Sequence, residues 1–282
     1  MKIIECPRDA MQGINQFIPT DKKVKYLNQL LEVGFDTIDF GSFVSPKAIP
    51  QMRDTELVLS QLDLTNTKSK LLAIIANTRG ANEASKHDEI HYLGFPFSIS
   101  ETFQQRNTNK SIEQALYELQ EIQNTCIKSS KSLVVYISMG FGNPYGDSYS
   151  EEIVEKYVDV LINYGIKIIS LADTIGVSNR ENIISLFTSL IEKYPKVEFG
   201  SHLHSTPSSS VEKIEAAYEA GCHRFDGAIN GLGGCPMAKD ELVGNLATEV
   251  ILSYLKNKGE KVLIDEDAFE KSMQLAYEIF PS

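Results

Sequence analysis

The sequence predicts a single-domain (β/α)₈ barrel, the TIM-barrel class. Three observations carry this. Eight short apolar, β-branched runs recur along the chain, and amphipathic helical patterns fill most of the gaps between them. The length, 282 residues, matches the roughly 250 that such a barrel needs. Continuously apolar strands alternating with helices also argue for parallel pairing. An open doubly wound sheet is the alternative, and the count of eight units favours the barrel.

In chain order, Lys2–Cys6 is the first strand. Asp21–Val33 follows as a helix, with Val24, Leu27, Leu30 and Leu31 on one face and Thr20 or Asp21 as its cap. The apolar runs Thr37–Phe40, Lys70–Ala76 and Ile90–Phe95 are strands two to four. Ser111–Ile127 is helical, with Ile112, Ala115, Leu116, Leu119 and Ile122 at helical spacing. Ser132–Ser138 is strand five, followed by helix Ser150–Tyr164 with Ile153, Val154, Tyr157, Val160 and Leu161. Lys167–Ala172 and Val197–His204 are strands six and seven, separated by helix Ser178–Tyr194. Helix Ser208–Ala220 leads to strand eight, Arg224–Ile229. Lys239–Lys256 and Asp265–Ile279 are then the eighth helix and a C-terminal extension, so that Lys239–Ser282 completes one catalytic domain over residues 1–282. No linker composition, low-complexity tract or repeat divides the chain.

The net charge of −11 would repel nucleic acid and anionic membrane surfaces, and no Lys/Arg cluster overrides it. No apolar run approaches the ~20 residues needed to span a bilayer. The N-terminal segment Met1-Lys2-Ile3-Ile4-Glu5 lacks the pattern of a secretory signal. Cys6, Cys126, Cys222 and Cys235 are widely spaced, without a C-x-x-C. The expectation is free thiols in a reducing cytoplasm.

A barrel places its chemistry at the C-terminal ends of its strands. His202 and His204 fall there, two apart on strand seven, so both point into the barrel. Two converging imidazoles suit a divalent metal; a hydrogen-bonded structural pair is the alternative. Asp9, read as ending strand one, is the natural oxygen partner. Arg8 beside it offers a guanidinium to a developing oxyanion or enolate, although Pro7-Arg8-Asp9 alone also reads as a surface turn. Gly231-Leu232-Gly233-Gly234-Cys235-Pro236 is a loop that can close over the mouth. Cys235 on it suits proton transfer or nucleophilic work, or is a small residue at a tight turn. Asn245 is placed to add an amide oxygen. His87 and His91 mimic a helical H-x-x-x-H pair, but His91 begins an apolar strand at the end away from the mouth. There is no P-loop and no G-x-S-x-G. Gly140 to Gly146 does not make a dinucleotide fingerprint, so no organic cofactor is expected.

Six segments together resemble the 3-hydroxy-3-methylglutaryl-CoA lyase family, within the metal-dependent barrel lyases and condensing synthases. They are Pro7-Arg8-Asp9 with Gln12, Ser42 to Met52, Ser170 to Gly176, His202-Leu203-His204, Gly231 to Pro236, and Gly244 to Glu249. The glycine-rich loop ending in Cys235-Pro236 is the specific part. The resemblance implies cleavage of 3-hydroxy-3-methylglutaryl-CoA to acetoacetate and acetyl-CoA; a related aldolase acting on another 3-hydroxyacyl-CoA or a hydroxy-oxo acid is the alternative. It also implies Mg²⁺ or Mn²⁺ on Asp9, His202, His204 and Asn245. Arg8 is implied to hold enolate charge and Cys235 to return a proton, with Asp39 and Asp173 lining the site. Either Asp9 or His202 is the implied base. An acyl-CoA is the implied substrate, and a homodimer is among the expected assemblies. The sequence departs from the family pattern at Asp39, where Glu is usual, and at Ser205, where Asp is usual.

Overall fold

A computed structural model describes residues 1–234 and 243–280. Eight parallel strands form the predicted closed barrel. Strand β1 (Lys2–Glu5) leads into a short helix α1 (Pro7–Gln12) and then α2 (Thr20–Val33). Strand β2 (Thr37–Ser42), helix α3 (Thr55–Leu59), β3 (Lys70–Ile74), α4 (Thr78–Ala84) and β4 (Ile90–Ser98) follow. Next come α5 (Glu101–Thr108), α6 (Ile112–Lys128), β5 (Ser132–Ser138), α7 (Glu151–Asn163) and β6 (Ile168–Asp173). The second half continues with α8 (Arg180–Lys193), β7 (Glu198–Ser205), α9 (Ser210–Glu219) and β8 (Arg224–Gly227). A two-residue strand β9 (Gly244–Asn245), α10 (Thr248–Asn257) and α11 (Glu266–Ile279) end the described chain. Strands β1 to β8 pair in sequence, β1 pairs with β8, and β6 with β7, which closes the sheet without a free edge.

The helices form where the sequence offers both an apolar face and a cap. Ser111 and Gln114 make a capping box on α6, and Asn179 and Asn182 make another on α8. Ser150 caps α7. The helix expected from Ser178 is capped one residue later, by Asn179, and the Ser178 hydroxyl donates to Asp173 instead. Helix α2 starts behind Pro19, with no side-chain cap. Helix α11 packs across α2, with Tyr26 edge-on to Phe280 and Phe35 edge-on to Phe269.

Two boundaries near the barrel mouth differ from expectation. The first strand stops at Glu5, because Pro7 is pre-set for the first turn of a helix. Asp9 consequently lies in α1 and does not end a strand. The helix expected over Lys239–Lys256 starts at Thr248. Before it, β9 runs antiparallel to β7, pairing His204 with Asn245, and residues 239–242 lie outside the described chain.

The core has two parts. A large apolar layer fills the space between strands and helices. Inside the barrel the apolar cluster is small: Leu72, Tyr92, Val134 and Tyr136. Polar and charged residues share that interior. Arg224 is fully buried, with Nη1 3.3 Å from Glu198 and Nε 4.0 Å from Asp226. Gly200 makes room for it, since a Cβ there would lie 2.8 Å from the Arg224 Cδ.

Candidate active site

At the C-terminal mouth of the barrel lies a cavity of about 390 Å³. Its walls include Arg8, Asp9 and Gln12 from α1, Tyr136 and Ser138 from β5, Thr174, and His202 and His204 from β7. Two of the expected groups, Arg8 and Asp9, are thus delivered by the short helix after β1.

Arg8 is buried and gripped from two sides. Its Nε and Nη2 donate to Asp39 at 3.0 and 2.6 Å, and its Nη1 donates to Asp9 at 2.8 Å and to Gln12 at 2.7 Å. Two N–H groups of the planar fork converge on Asp39 Oδ2, and Nε also reaches Oδ1 at 3.3 Å, which a lysine cannot reproduce. Burial pushes the Asp39 carboxyl up to about 6, against the pull of Arg8. Burial would also raise Asp9, but Arg8 and the two histidines together hold it below the ordinary carboxylate range.

The histidines converge as the strand periodicity requires, with ring centroids 5.5 Å apart. Ligand atoms of Asp9, His202 and His204 lie within 4.8 Å of one another. His204 Nδ1 sits 3.1 Å from the Thr174 carbonyl, which only accepts, so the proton is on Nδ1. That leaves the lone pair on Nε2, which is buried without a hydrogen-bond partner. Burial and the neighbouring His202 pull His204 down to about 4, which keeps it neutral. His202 Nδ1 faces Asp226 Oδ2 at 3.2 Å. Burial lowers its basicity, but the Asp226 hydrogen bond and charge carry it above its ordinary value. A carboxylate or carbonyl behind each imidazole is the arrangement of metal-ligating histidines. An orphaned buried nitrogen, a second imidazole and an ionised carboxylate therefore fit a divalent cation.

Asn245 arrives through β9, opposite His204. Its Nδ2 donates to Asp9 Oδ2 at 2.7 Å and to the Leu232 carbonyl at 2.8 Å. It thus meets the cluster through its amide nitrogen, by way of Asp9. Gly233 (φ +99°) closes the same corner: a Cβ there would lie 2.6 Å from Asn245 Nδ2 and 2.9 Å from the Asp9 carbonyl oxygen. Cys235 lies outside the described residues.

Asp39 and Asp173 were expected to line the cavity, and neither does. Asp39 sits behind Arg8. Asp173, the last residue of β6, turns outward because its neighbour Ala172 faces in. It accepts from the backbone of Val177 and Ser178, and from Lys213 Nζ at 2.7 Å. Lys213 also donates to the carbonyls of Gly176 and His204, so Asp173 anchors the loop beside the cavity.

Two residues escaped the sequence reading. Asp226 was absorbed into an apolar strand, although Arg224 and Asp226 alternate with period two and so mark an inward polar face. Tyr136 was hidden in the run Ser132–Ser138; its hydroxyl is buried without a partner and the residue lines the cavity. His91 is exposed on β4, and His87 meets Glu56 at 3.2 Å. Among basic residues, Lys47 is exposed, Lys110 pairs with Glu118, and Arg106 of α5 lies over the Tyr145 ring at 4.6 Å.

A family model described as HMGL-like matches residues 2–275. The chain is 33% identical over 250 residues to hydroxymethylglutaryl-CoA lyase YngG of Bacillus subtilis (strain 168), covering 89% of this chain and 83% of that protein. It is 30% identical over 269 residues to hydroxymethylglutaryl-CoA lyase of Pseudomonas mevalonii, covering 95% of this chain and 88% of that protein. Among solved structures, an HMG-CoA lyase from Acenitobacter baumannii, in complex with coenzyme A and 3-methylmalate, superposes with a TM-score of 0.91 at 31% identity. That match covers 99% of this chain and 90% of the other.

Proposed function

The chain belongs to the HMGL-like family, and from that premise we propose that it is a carbon–carbon lyase cleaving 3-hydroxy-3-methylglutaryl-CoA to acetoacetate and acetyl-CoA. The observation that carries the reading is the convergence of Asp9, His202 and His204 on one cavity wall, with Arg8 beside them. The names of the relatives support this substrate over the alternative of another 3-hydroxyacyl-CoA or a hydroxy-oxo acid. The coenzyme A bound in the Acenitobacter structure supports an acyl-CoA.

In this reading Mg²⁺ or Mn²⁺ is the cofactor. Asp9, His202 and His204 would hold it, joined by Asn245 once its amide is turned to present oxygen. When bound, such an ion supplies Lewis acidity and lowers the pKa of the substrate hydroxyl. The hydroxyl proton passes to Asp9 or His202 as the carbon–carbon bond breaks. Arg8 then holds the charge of the leaving enolate. Four of its five N–H groups are engaged by Asp39, Asp9 and Gln12, which leaves one on Nη2 for a ligand oxygen. Asp39 positions Arg8, and the Tyr136 hydroxyl is available to a substrate oxygen. Cys235 returns a proton to the enolate carbon, a role drawn from its place in the glycine-rich loop. No described helix is long and apolar enough to cross a membrane; a cytoplasmic homodimer completes the proposal.

The test is product identification. Purified protein with 3-hydroxy-3-methylglutaryl-CoA and Mg²⁺ should yield acetoacetate and acetyl-CoA in equal amounts, and chelation should stop the reaction. Intact substrate after incubation with the metal-loaded protein would refute the assignment.

A further inference from the structure

Beneath the cavity, Cys6, His202 and Asp226 also bring a ligand atom each to within 4.8 Å of one another. Cys6 and Asp226 are each 1% exposed. Their placement is built into the barrel: the Cys6 amide donates to the Gly227 carbonyl at 2.8 Å, which locks the end of β1 against β8. Asp226 Oδ1 is buried and has no hydrogen-bond partner, Arg224 Nε being 4.0 Å away. The charges acting on the Cys6 sulfur from the surrounding elements are Asp226, Asp39, Asp9 and Glu5. Arg8, paired with Asp39 and Asp9, and Arg224, beside Asp226, are the cations there.

We propose that Cys6, His202 and Asp226 form a second, softer cation site that shares His202 with the Asp9–His202–His204 cluster. A thiolate, an imidazole and a carboxylate select Zn²⁺ or Cd²⁺ over Mg²⁺, whereas the upper cluster lacks sulfur. The two sites use opposite nitrogens of one ring. The upper needs the Nε2 lone pair, with the proton on Nδ1 toward Asp226. The lower needs the Nδ1 lone pair, which moves that proton to Nε2 and withdraws His202 from the upper site. Binding forms one bond each from sulfur, Nδ1 and a carboxylate oxygen to the ion and releases the thiol proton to solvent. No electrons are transferred. A thiophilic ion therefore inhibits the enzyme by excluding the hard one. The inhibition rests on reading the upper cluster as the catalytic metal centre; the sulfur site itself does not.

The test is Cd²⁺ titration of metal-free full-length protein carrying Cys235→Ser, which removes a competing thiol. One Cd²⁺ per chain should bind with a sulfur-to-cadmium charge-transfer band. Cys6→Ser should abolish the band and weaken Zn²⁺ inhibition of Mg²⁺-supported turnover, measured with Cys235 intact, by at least the roughly 10–100-fold lost with an outer-shell partner. Mn²⁺ held by the parent, followed by electron paramagnetic resonance, should be released as the band grows. A band undiminished in Cys6→Ser, or full Mn²⁺ retention beside a fully developed band, overturns the proposal. Should Cys6→Ser not fold, X-ray absorption of the Zn²⁺-loaded parent decides: one sulfur ligand supports the site, and only nitrogen and oxygen ligands refute it. Failure of Mn²⁺ to bind folded Cys6→Ser protein would count separately, against the reading of the upper cluster.

Discussion

At the scale of single residues, the site separates holding a cation from stabilising charge. His204 contributes an otherwise orphaned Nε2, so His204→Ala should weaken Mn²⁺ binding by more than tenfold, measurable by electron paramagnetic resonance, while the fold survives. Arg8 touches Asp9 but is not itself a ligand. Arg8→Gln should lower kcat by roughly 10²–10³, as loss of one oxyanion donor does, and leave Mn²⁺ content near wild type. Asp39→Asn should lower kcat less than Arg8→Gln, because Arg8 keeps its bonds to Asp9 and Gln12. A kcat effect explained wholly by lost metal would refute the role given to Arg8. Cys235→Ser should reduce kcat by roughly 10²–10⁴ in single-turnover assays, since a serine hydroxyl is a far weaker acid than a thiol. Wild-type turnover in that variant would show that the loop needs only a small residue there.

At the scale of elements, α1 and β9 assemble the mouth. Neither is long enough to be stable alone. Helix α1 is held through Arg8 and Gln12, and β9 through its pairing with β7 and the Asn245–Asp9 bond. Gly233 is where they meet. Gly233→Ala would force its φ of +99° on a Cβ and drive that atom into Asn245 and Asp9. The expected outcome is a fall in both Mn²⁺ affinity and kcat. Gly259 (φ +80°) has nothing within 4 Å of a Cβ, so Gly259→Ala should cost only the backbone strain, roughly 1–2 kcal/mol, with kcat unchanged. Equal kinetic effects of the two variants would remove the argument that Gly233 shapes the site.

At the scale of the whole molecule, closing the sheet buries charge between its layers. Glu5 is fully buried, accepting from the Ile229 amide and the Thr248 hydroxyl, and burial pushes it up to about 8. An unfolded glutamate titrates near ~4.3. Below that value both states are protonated. Above it the unfolded chain ionises first, so stability falls with rising pH until about 8 and then levels, by up to about 1.4 kcal/mol per pH unit. Glu5→Gln removes this linkage. Its melting temperature relative to wild type should rise between pH 5 and pH 8, by roughly 2 °C or more. A difference that stays flat with pH would place the Glu5 ionisation elsewhere.

The sequence by itself determined the barrel, because period-two and period-3.6 patterns are local and each strand and helix writes its own. It also brought out His202 and His204 as a pair, since two residues apart on one strand share a face whatever surrounds them. Arg8 and Asp9 were legible as residues but not as a helix, because Pro7 sets that turn only once the strand before it is anchored. What only the tertiary structure decided are contacts between elements far apart in the chain. Asp226 stands behind His202 because β8 lies beside β7, and Asp39 grips Arg8 because β2 lies beside β1. Asp173 shows the converse. It sits beside the inward Ala172 and looks like a site residue in the sequence, yet strand alternation and the Lys213 ammonium on α9 turn it to the outer layer. Which way a polar residue at a strand end faces depends on the partner waiting for it, and that partner is set by the closed fold.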